Sequence, residues 1–400
     1  MKKRALVAIL VIIGVAVPAL MAAAGGGWLS MFRPKSLEPF PKAYPEVGIT
    51  LLDEWQGDVD WSRDGKWITY PKRNPSDWHM DIWTTHADGT DRHCITCGKG
   101  FDRVHRGSVT MRPDDSFLVC AAENSDVRTR KAEALAMPGV GLNDNLWAMT
   151  PNGAHAWPLT HYATDYKHPK GAIHPQFSRD GKHLFWAGPT GNFDMKPDYE
   201  WGEWALYTAD FVVKGGVPSL ENVREFQPGE QHSFYESHDW SLDDQSVLFT
   251  GNLAAGTSVN ELDMWEYNLS TGALKRLTAS PDWDEHAHFS PDGKHIIWIS
   301  GNDLHVKFRD VYGTNWMKDV TTELWEMDSD GSHERRLTFF NQPGSKDYEW
   351  FHKNVFDTKR VIVSDNAFSP DGKSAVVTIA FEGRAGTMNS VLALLDLTTR

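Results

Sequence analysis

The chain has 400 residues, 40% hydrophobic and 12% aromatic, which suffices for a large buried core and excludes a disordered segment. Its formal charge of −14 sets the surface as a whole against nucleic acid and anionic lipid, while leaving room for a locally basic pocket that takes an acidic ligand.

Residues 1–24 read as an export leader: "MKKR", then the apolar run "ALVAILVIIGVAVPALM", then "AAA" with small residues suited to cleavage at Ala22 and Ala24. An uncleaved N-terminal anchor is the competing reading, because that run sits at the lower edge of what spans a bilayer. It would be the chain's only contact with a membrane. Either way the rest is expected to be exported, to the periplasm or beyond. Residues 25–46 are read as a linker and residues 47–400 as one folded unit.

That unit opens with "VGITLLDEW" (47–55), an apolar strand with no partner of its own. The segment "WSRDGKWITY" follows at 61, and its pattern returns as "MRPDDSFLVC" at 111, "FSRDGKHLFW" at 177, "WSLDDQSVLF" at 240, "FSPDGKHIIW" at 289 and "FSPDGKSAVV" at 368. Each copy is a strand ending in a large anchor residue, a tight turn and a second strand, hence a hairpin. A second hairpin follows, in "DIWTTHADGTDRHCIT" from 81, "NLWAMTPNGAHAWPLT" from 145, "DMWEYNLSTGALKRLT" from 263 and "ELWEMDSDGSHERRLT" from 323. The third copy, from 204, is stretched. Two hairpins per copy make a four-stranded antiparallel sheet, and six sheets make a ring.

The third, fourth and sixth anchors come later than the about 40–50 residues of a propeller blade require. The surplus falls in inserts at 123–144, 189–203, 301–321 and 341–362, expected on one face of the ring. The last copy ends after three strands, so the strand at 47–55 is expected to supply its fourth and remove the open edge. The fold class is therefore all-β, a six-bladed propeller closed by its N-terminal strand. Of the three cysteines, Cys94 and Cys97 are read as a small disulfide or two semi-buried thiols, with Cys120 left over.

Aligning the copies on their anchors shows where chemistry-bearing residues fall. One and three positions before the anchor stand Asp60 and Asp58, Thr110 and Ser108, Gln176 and His174, Asp239 and Ser237, His288 and His286, and Ala367 and Asp365. Residues two apart on a strand share a face, and a blade's first strand lies nearest the axis, so these pairs are expected to ring one mouth of the channel. His105, His168, His232, His238 and His352 lie in the same connections. Neutral imidazoles converging with carboxylates suit a divalent transition metal, and blade-entrance histidines equally serve as hydrogen-bond partners of the next blade. His286, His288, His238 and His174 are the candidate ligands, and manganese, zinc or calcium the candidate ion.

The Ser-Pro-Asp-Gly hairpin followed by "LWEMDSDGSHERRLT" resembles the TolB-like propeller repeat, over essentially all of the chain from residue 47. Relatives of that kind include TolB itself, the propellers of prolyl oligopeptidase-like peptidases and oligogalacturonate lyases. TolB has a further N-terminal domain, for which the stretch before Val47 is short, and the peptidases place their nucleophile on a hydrolase domain whose Gly-x-Ser-x-Gly elbow is not found here. The His286-x-His288 pair ahead of its turn resembles the oligogalacturonate lyases, which implies a metal at blade entrances and β-elimination from a uronate. Their pattern has Gln three residues before the pair, where this chain has Trp283. A further ligand would then come from His238, Glu285, Glu236 or His174. Arg106, Lys167 and Lys170 are the candidate bases.

The leading expectation is an exported binding or scaffold module with a protein or oligosaccharide partner at the channel mouth, where Trp283, Trp78, Trp201 and Tyr348 would stack on a ligand or pack blades. The alternative is a metal-dependent lyase or hydrolase acting on acidic oligosaccharides. Convergence of histidines and a basic residue on one point separates the two.

Overall fold

The repeated Ser-x-Asp-Gly segments become hairpins because their own side chains close the turn. Near residue 290, Ser290 Oγ donates to Asp292 Oδ1 (2.7 Å) and accepts the His295 N–H (3.0 Å), while Gly293 takes φ +70°, a conformation that favours glycine. The same serine-to-aspartate bond recurs from Ser62, Ser178, Ser241 and Ser369. The Leu-Thr endings are equally mechanical. The hydroxyls of Thr96, Thr160, Thr278 and Thr338 accept the N–H groups of Ile82, Leu146, Met264 and Leu324 at 2.9 to 3.1 Å, tying each fourth strand to its third.

A computed structural model describes residues 40–54, 57–74, 79–99, 104–127, 135–192, 201–311 and 315–400. The leader, most of the linker and Trp78 lie outside the described residues. The strands in chain order begin with β1 (Lys42–Tyr44) and β2 (Ile49–Glu54). The first blade is β3 (Asp60–Trp61), β4 (Trp67–Arg73), β5 (Met80–His86) and β6 (His93–Cys94). The second is β7 (Arg106–Met111), β8 (Leu118–Glu123), β9 (Asp144–Met149) and β10 (Ala156–Pro158). The third is β11 (Ile173–Phe177), β12 (His183–Pro189), β13 (Trp204–Lys214) and β14 (Val217–Phe226). The fourth is β15 (Tyr235–Trp240), β16 (Ser246–Gly251), β17 (Asp263–Asn268) and β18 (Leu274–Arg276). The fifth is β19 (Asp284–Phe289), β20 (His295–Ser300), β21 (Glu323–Asp328) and β22 (Arg335–Arg336). All pair antiparallel, which makes the molecule a six-bladed β-propeller.

The sixth blade holds β23 (Val361–Phe368), β24 (Ser374–Glu382) and β25 (Met388–Asp396), and β2 pairs antiparallel with β25 from Ile49 opposite Leu395 to Glu54 opposite Val391. The N-terminal strand therefore closes the ring. Leu51 and Leu52 are fully buried there. The sheet also starts earlier than residue 47: β1 adds a fifth strand, Lys42 to Tyr44 pairing with Leu51 to Ile49.

The long connections from second to third strand and from one blade to the next all leave from the end where the first strands begin. The described ends of the inserts therefore leave from that entrance face. The insert at 341–362 carries a helix, α1 (Lys346–Asn354), whose start is capped by Ser345 Oγ accepting the Tyr348 N–H (3.1 Å). Cys94 and Cys97 form a disulfide just after β6, and Cys120 is a buried free thiol. No helix among the described residues is long and apolar enough to cross a membrane.

Candidate functional site

The first strands do not run straight into the channel. In five blades the pairing of first and second strands slips near the entrance: between Gly107 and Thr110, Ile173 and Gln176, Ser237 and Asp239, Glu285 and His288, and Val363 and Asn366. These are β-bulges, and at three of them the residue three before the anchor takes a left-handed conformation: Ser108 (φ 47°), His174 (φ 46°) and His286 (φ 52°). Such backbone costs about 1–3 kcal/mol for a residue other than glycine, and the surrounding ring holds it. The bulge turns these side chains toward the axis.

His174 from the third blade and His286 from the fifth meet there, with ring centroids 5.1 Å apart. Between them stands Glu236 of the fourth blade, its Oε1 3.0 Å from His174 Nε2 and 3.8 Å from His286 Nε2. Asp365 Oδ1 lies 3.6 Å from His286 Nδ1, and Asp58 Oδ2 lies 4.0 Å from His174 Nε2 while accepting from Ser108 Oγ at 2.6 Å. Residues of five blades, with the Ser108 contact adding the second, thus converge within one polar knot.

Burial sets its protonation. It pushes the His174 imidazole below its ordinary range and, helped by His174 nearby, pushes His286 down to about 3. Burial, and then the neighbouring Glu285 carboxyl, raise Glu236 well above the usual carboxylate range, and burial brings Glu285 up to about 7. Asp365 is likewise raised well above its ordinary value, by burial and then by Asp58. Burial works on Asp58 too, but His174 and the hydrogen bonds from Ser108 and Asp365 outweigh it and hold that carboxyl low. Burial thus favours the neutral histidines and the protonated forms of Glu236 and Asp365, and with them a hydrogen bond between His174 and Glu236 over an ion pair.

The other two predicted ligands do not join. His238 Nε2 accepts the His286 N–H (3.2 Å) and contacts Thr250 Oγ1 (2.8 Å), so this histidine braces the next blade. His288 Nδ1 is 3.9 Å from Asp239 Oδ2, a carboxylate already held by Arg179 (2.6 Å) and the Phe289 N–H (3.0 Å). The bulge between Glu285 and His288 breaks the alternation on which their shared direction depended.

The donor set fits a cation. One ligand atom each from His174, Glu236 and His286 all lie within 4.8 Å of one another, and Asp58, His174 and Asp365 form an adjoining group of the same kind. Bonds of about 2.1 Å imply ligand atoms about 3–4 Å apart. Two neutral imidazoles and a carboxylate suit manganese or zinc better than calcium, which takes oxygen ligands. A second group, His79, His105 and Glu123, stands at the entrance of the second blade. Asp81 groups with Cys94 and Cys97, whose sulfurs are committed to the disulfide.

The predicted bases lie elsewhere. Arg106 is buried, donates to Val104 O (3.2 Å) and lines a separate cavity of about 400 Å³ with Glu123 and Tyr162. Lys167 and Lys170 are exposed, and neither lines the channel mouth. The aromatics divide. Trp283 is 2% exposed, stacked on Trp316 at 4.9 Å, and Trp201 packs edge-on against it while donating Nε1–H to Val311 O (2.8 Å), so both knit inserts together. Tyr348, on α1, lies over His352 at 3.8 Å and lines a cavity of about 600 Å³. The cavity beside the channel histidines has about 10 Å³.

No family model matches this chain. Among characterised proteins it is 27% identical over 112 residues to dipeptidyl-peptidase 5 of Porphyromonas gingivalis, covering 25% of this chain and 16% of the peptidase. For dipeptidyl-peptidase 5 of Porphyromonas endodontalis the match is 26% over 162 residues, covering 33% and 23%. The matches thus span less than a quarter of the peptidases' own length. Among solved structures, the putative TolB from Agrobacterium tumefaciens superposes with a TM-score of 0.50 at 16% identity, covering 82% of this chain and 90% of that one. TolB from Acinetobacter baumannii gives 0.48 at 15% identity, covering 82% and 63%. An oligogalacturonate lyase in complex with manganese gives 0.45 at 13%, covering 87% and 92%. The fold of this chain is a six-bladed β-propeller, similar to that of the Agrobacterium tumefaciens structure.

Proposed function

We propose that the protein is an exported binding module that presents the inserts of its entrance face to a protein or glycan partner. In this reading a divalent ion, manganese or zinc, sits at the channel mouth on His174, Glu236 and His286 and ties the third, fourth and fifth blades. The observation that carries it is the closure of the mouth. About 10 Å³ stands beside those histidines, too little for a sugar ring, whereas the insert face offers cavities of about 600 and 400 Å³. Export rests on the leader sequence.

A metal-dependent lyase or hydrolase is the second reading, favoured by the convergence of His174, Glu236 and His286. It needs a base within reach of the metal and of substrate, and Arg106, Lys167 and Lys170 do not line that mouth. One experiment separates the two. Untagged protein and a His174→Ala/His286→Ala variant are compared for metal content, thermal stability with and without chelator, and unsaturated product from galacturonate oligomers. The binding reading expects about one ion per chain, lost in the variant, a lower Tm on chelation, and no product. Turnover of the oligomers that disappears with the two histidines would replace it with the enzyme reading.

A further inference from the structure

On a chain of net charge −14, the cavity of about 600 Å³ beside α1 is lined mostly by basic side chains among its charged groups. Lys307, Lys359, Arg360 and His352 face it, against a single carboxylate, Asp319. That carboxylate is already neutralised by Arg309, whose Nε is 2.7 Å from Oδ1. Both ring nitrogens of His352 meet carbonyl oxygens, Nδ1 that of Tyr348 (2.9 Å) and Nε2 that of Thr358 (2.8 Å), which fixes the ring in the cavity wall. Arg360 is fixed as a wall by donating to Met317 O (3.0 Å) and Val320 O (2.6 Å), and its charge is partly offset by Glu382, whose Oε2 is 3.6 Å from Nε. Lys307 and Lys359 are exposed and make no ion pair with another described residue. Leu304, Phe340 and Tyr348 add an apolar side.

We propose that this cavity, framed by the inserts at 301–321 and 341–362, binds a small carboxylate-bearing ligand of about disaccharide size, such as an acidic sugar. Its volume of about 600 Å³ lies within the range of small-molecule sites. The two lysines supply the mobile charges that close on the ligand.

The proposal deepens the binding reading and rests on it for recognition at the insert face, but its test is separate. Digalacturonate, maltose and inorganic phosphate are titrated calorimetrically into the full protein and into Lys307→Ala/Lys359→Ala, a variant of exposed residues. Digalacturonate is expected to bind the wild type, to weaken about tenfold in the variant and to weaken again as salt is raised, with maltose silent. Equal binding to both proteins, tighter binding of maltose or phosphate, or no binding of digalacturonate would each overturn the assignment of this cavity. The metal and turnover measurements above stand or fall independently of those results.

Discussion

Glu285 is buried, its pKa is raised from 4.5 to about 7, and it accepts the indole N–H of Trp283 beside the Glu236 carboxyl. In the unfolded chain it ionises near 4.5, so between that value and 7 the unfolded state sheds a proton that the folded state keeps. The stability contributed by the protonated form is whole below 4.5 and lost as pH rises toward 7. A shift of that size corresponds to about 3 kcal/mol. Glu285→Gln keeps the shape and an oxygen for Trp283 but cannot ionise. The variant is therefore expected to gain on the wild type steadily from pH 4.5 to 7, by at most about 1.4 kcal/mol per pH unit, and to be more stable by about 3 kcal/mol at pH 8. Urea unfolding of metal-free proteins across this range measures it. A difference that does not change with pH, or a less stable variant at pH 8, would refute the buried-acid argument.

Closure of the ring is tested by Leu51→Ala: this side chain on β2 is fully buried opposite Ala393 of β25, and its loss is expected to cost about 2–5 kcal/mol by urea unfolding. Thr338→Val keeps volume but leaves the Leu324 N–H and Glu323 Oε2, which Thr338 bonds at 2.9 and 2.6 Å, without that partner in a buried site. About 1–3 kcal/mol of stability should go, whereas a loss under 0.5 would deny the Leu-Thr endings their role. Gly293→Ala places a Cβ 2.9 Å from Leu242 Cδ2 at φ +70°, so a loss of about 1 kcal/mol is expected in thermal unfolding, and a gain would contradict the turn geometry.

The fold was legible because its signals are local and repeated. The Ser-x-Asp-Gly turn needs only side chains within five residues of one another, as Ser290, Asp292 and His295 show, and a hairpin repeated six times leaves few ways to assemble. The unpartnered strand before residue 55 betrayed the closure by lacking a mate. The site was legible in part. Counting back three residues from each anchor found His174, His286, Asp58 and Asp365, but the period of two that justified the count fails at the bulge. The bulge carries no residue signature here, since Ser, His and His occupy the left-handed positions. It therefore left Glu236, four residues before its anchor, as one of four alternatives for a further ligand, and hid that His288 would be diverted to Asp239. The cationic cavity was less legible still, because Lys307 and Lys359 come from different inserts and nothing in their spacing announces that α1 brings the walls together.

A polar knot this deeply buried must be balanced by something, and its protonation indicates what a cation would displace. His286, held to about 3, has no proton to give at neutral pH, whereas burial favours the protonated form of Glu236. Loading manganese or zinc on His174, Glu236 and His286 is therefore expected to release protons from Glu236, and more where Asp365 also coordinates. Solvated histidines and carboxylates of ordinary pKa would release almost none at pH 7.5. Calorimetric titration of the metal into metal-free protein, in two buffers of different ionisation enthalpy, counts the protons directly. Proton release that vanishes in Glu236→Gln places the ion in the channel on a carboxyl whose protonated form burial favours. Release near zero, with binding intact in that variant, moves the ion to another group such as His79, His105 and Glu123 and leaves the channel knot held by protons alone.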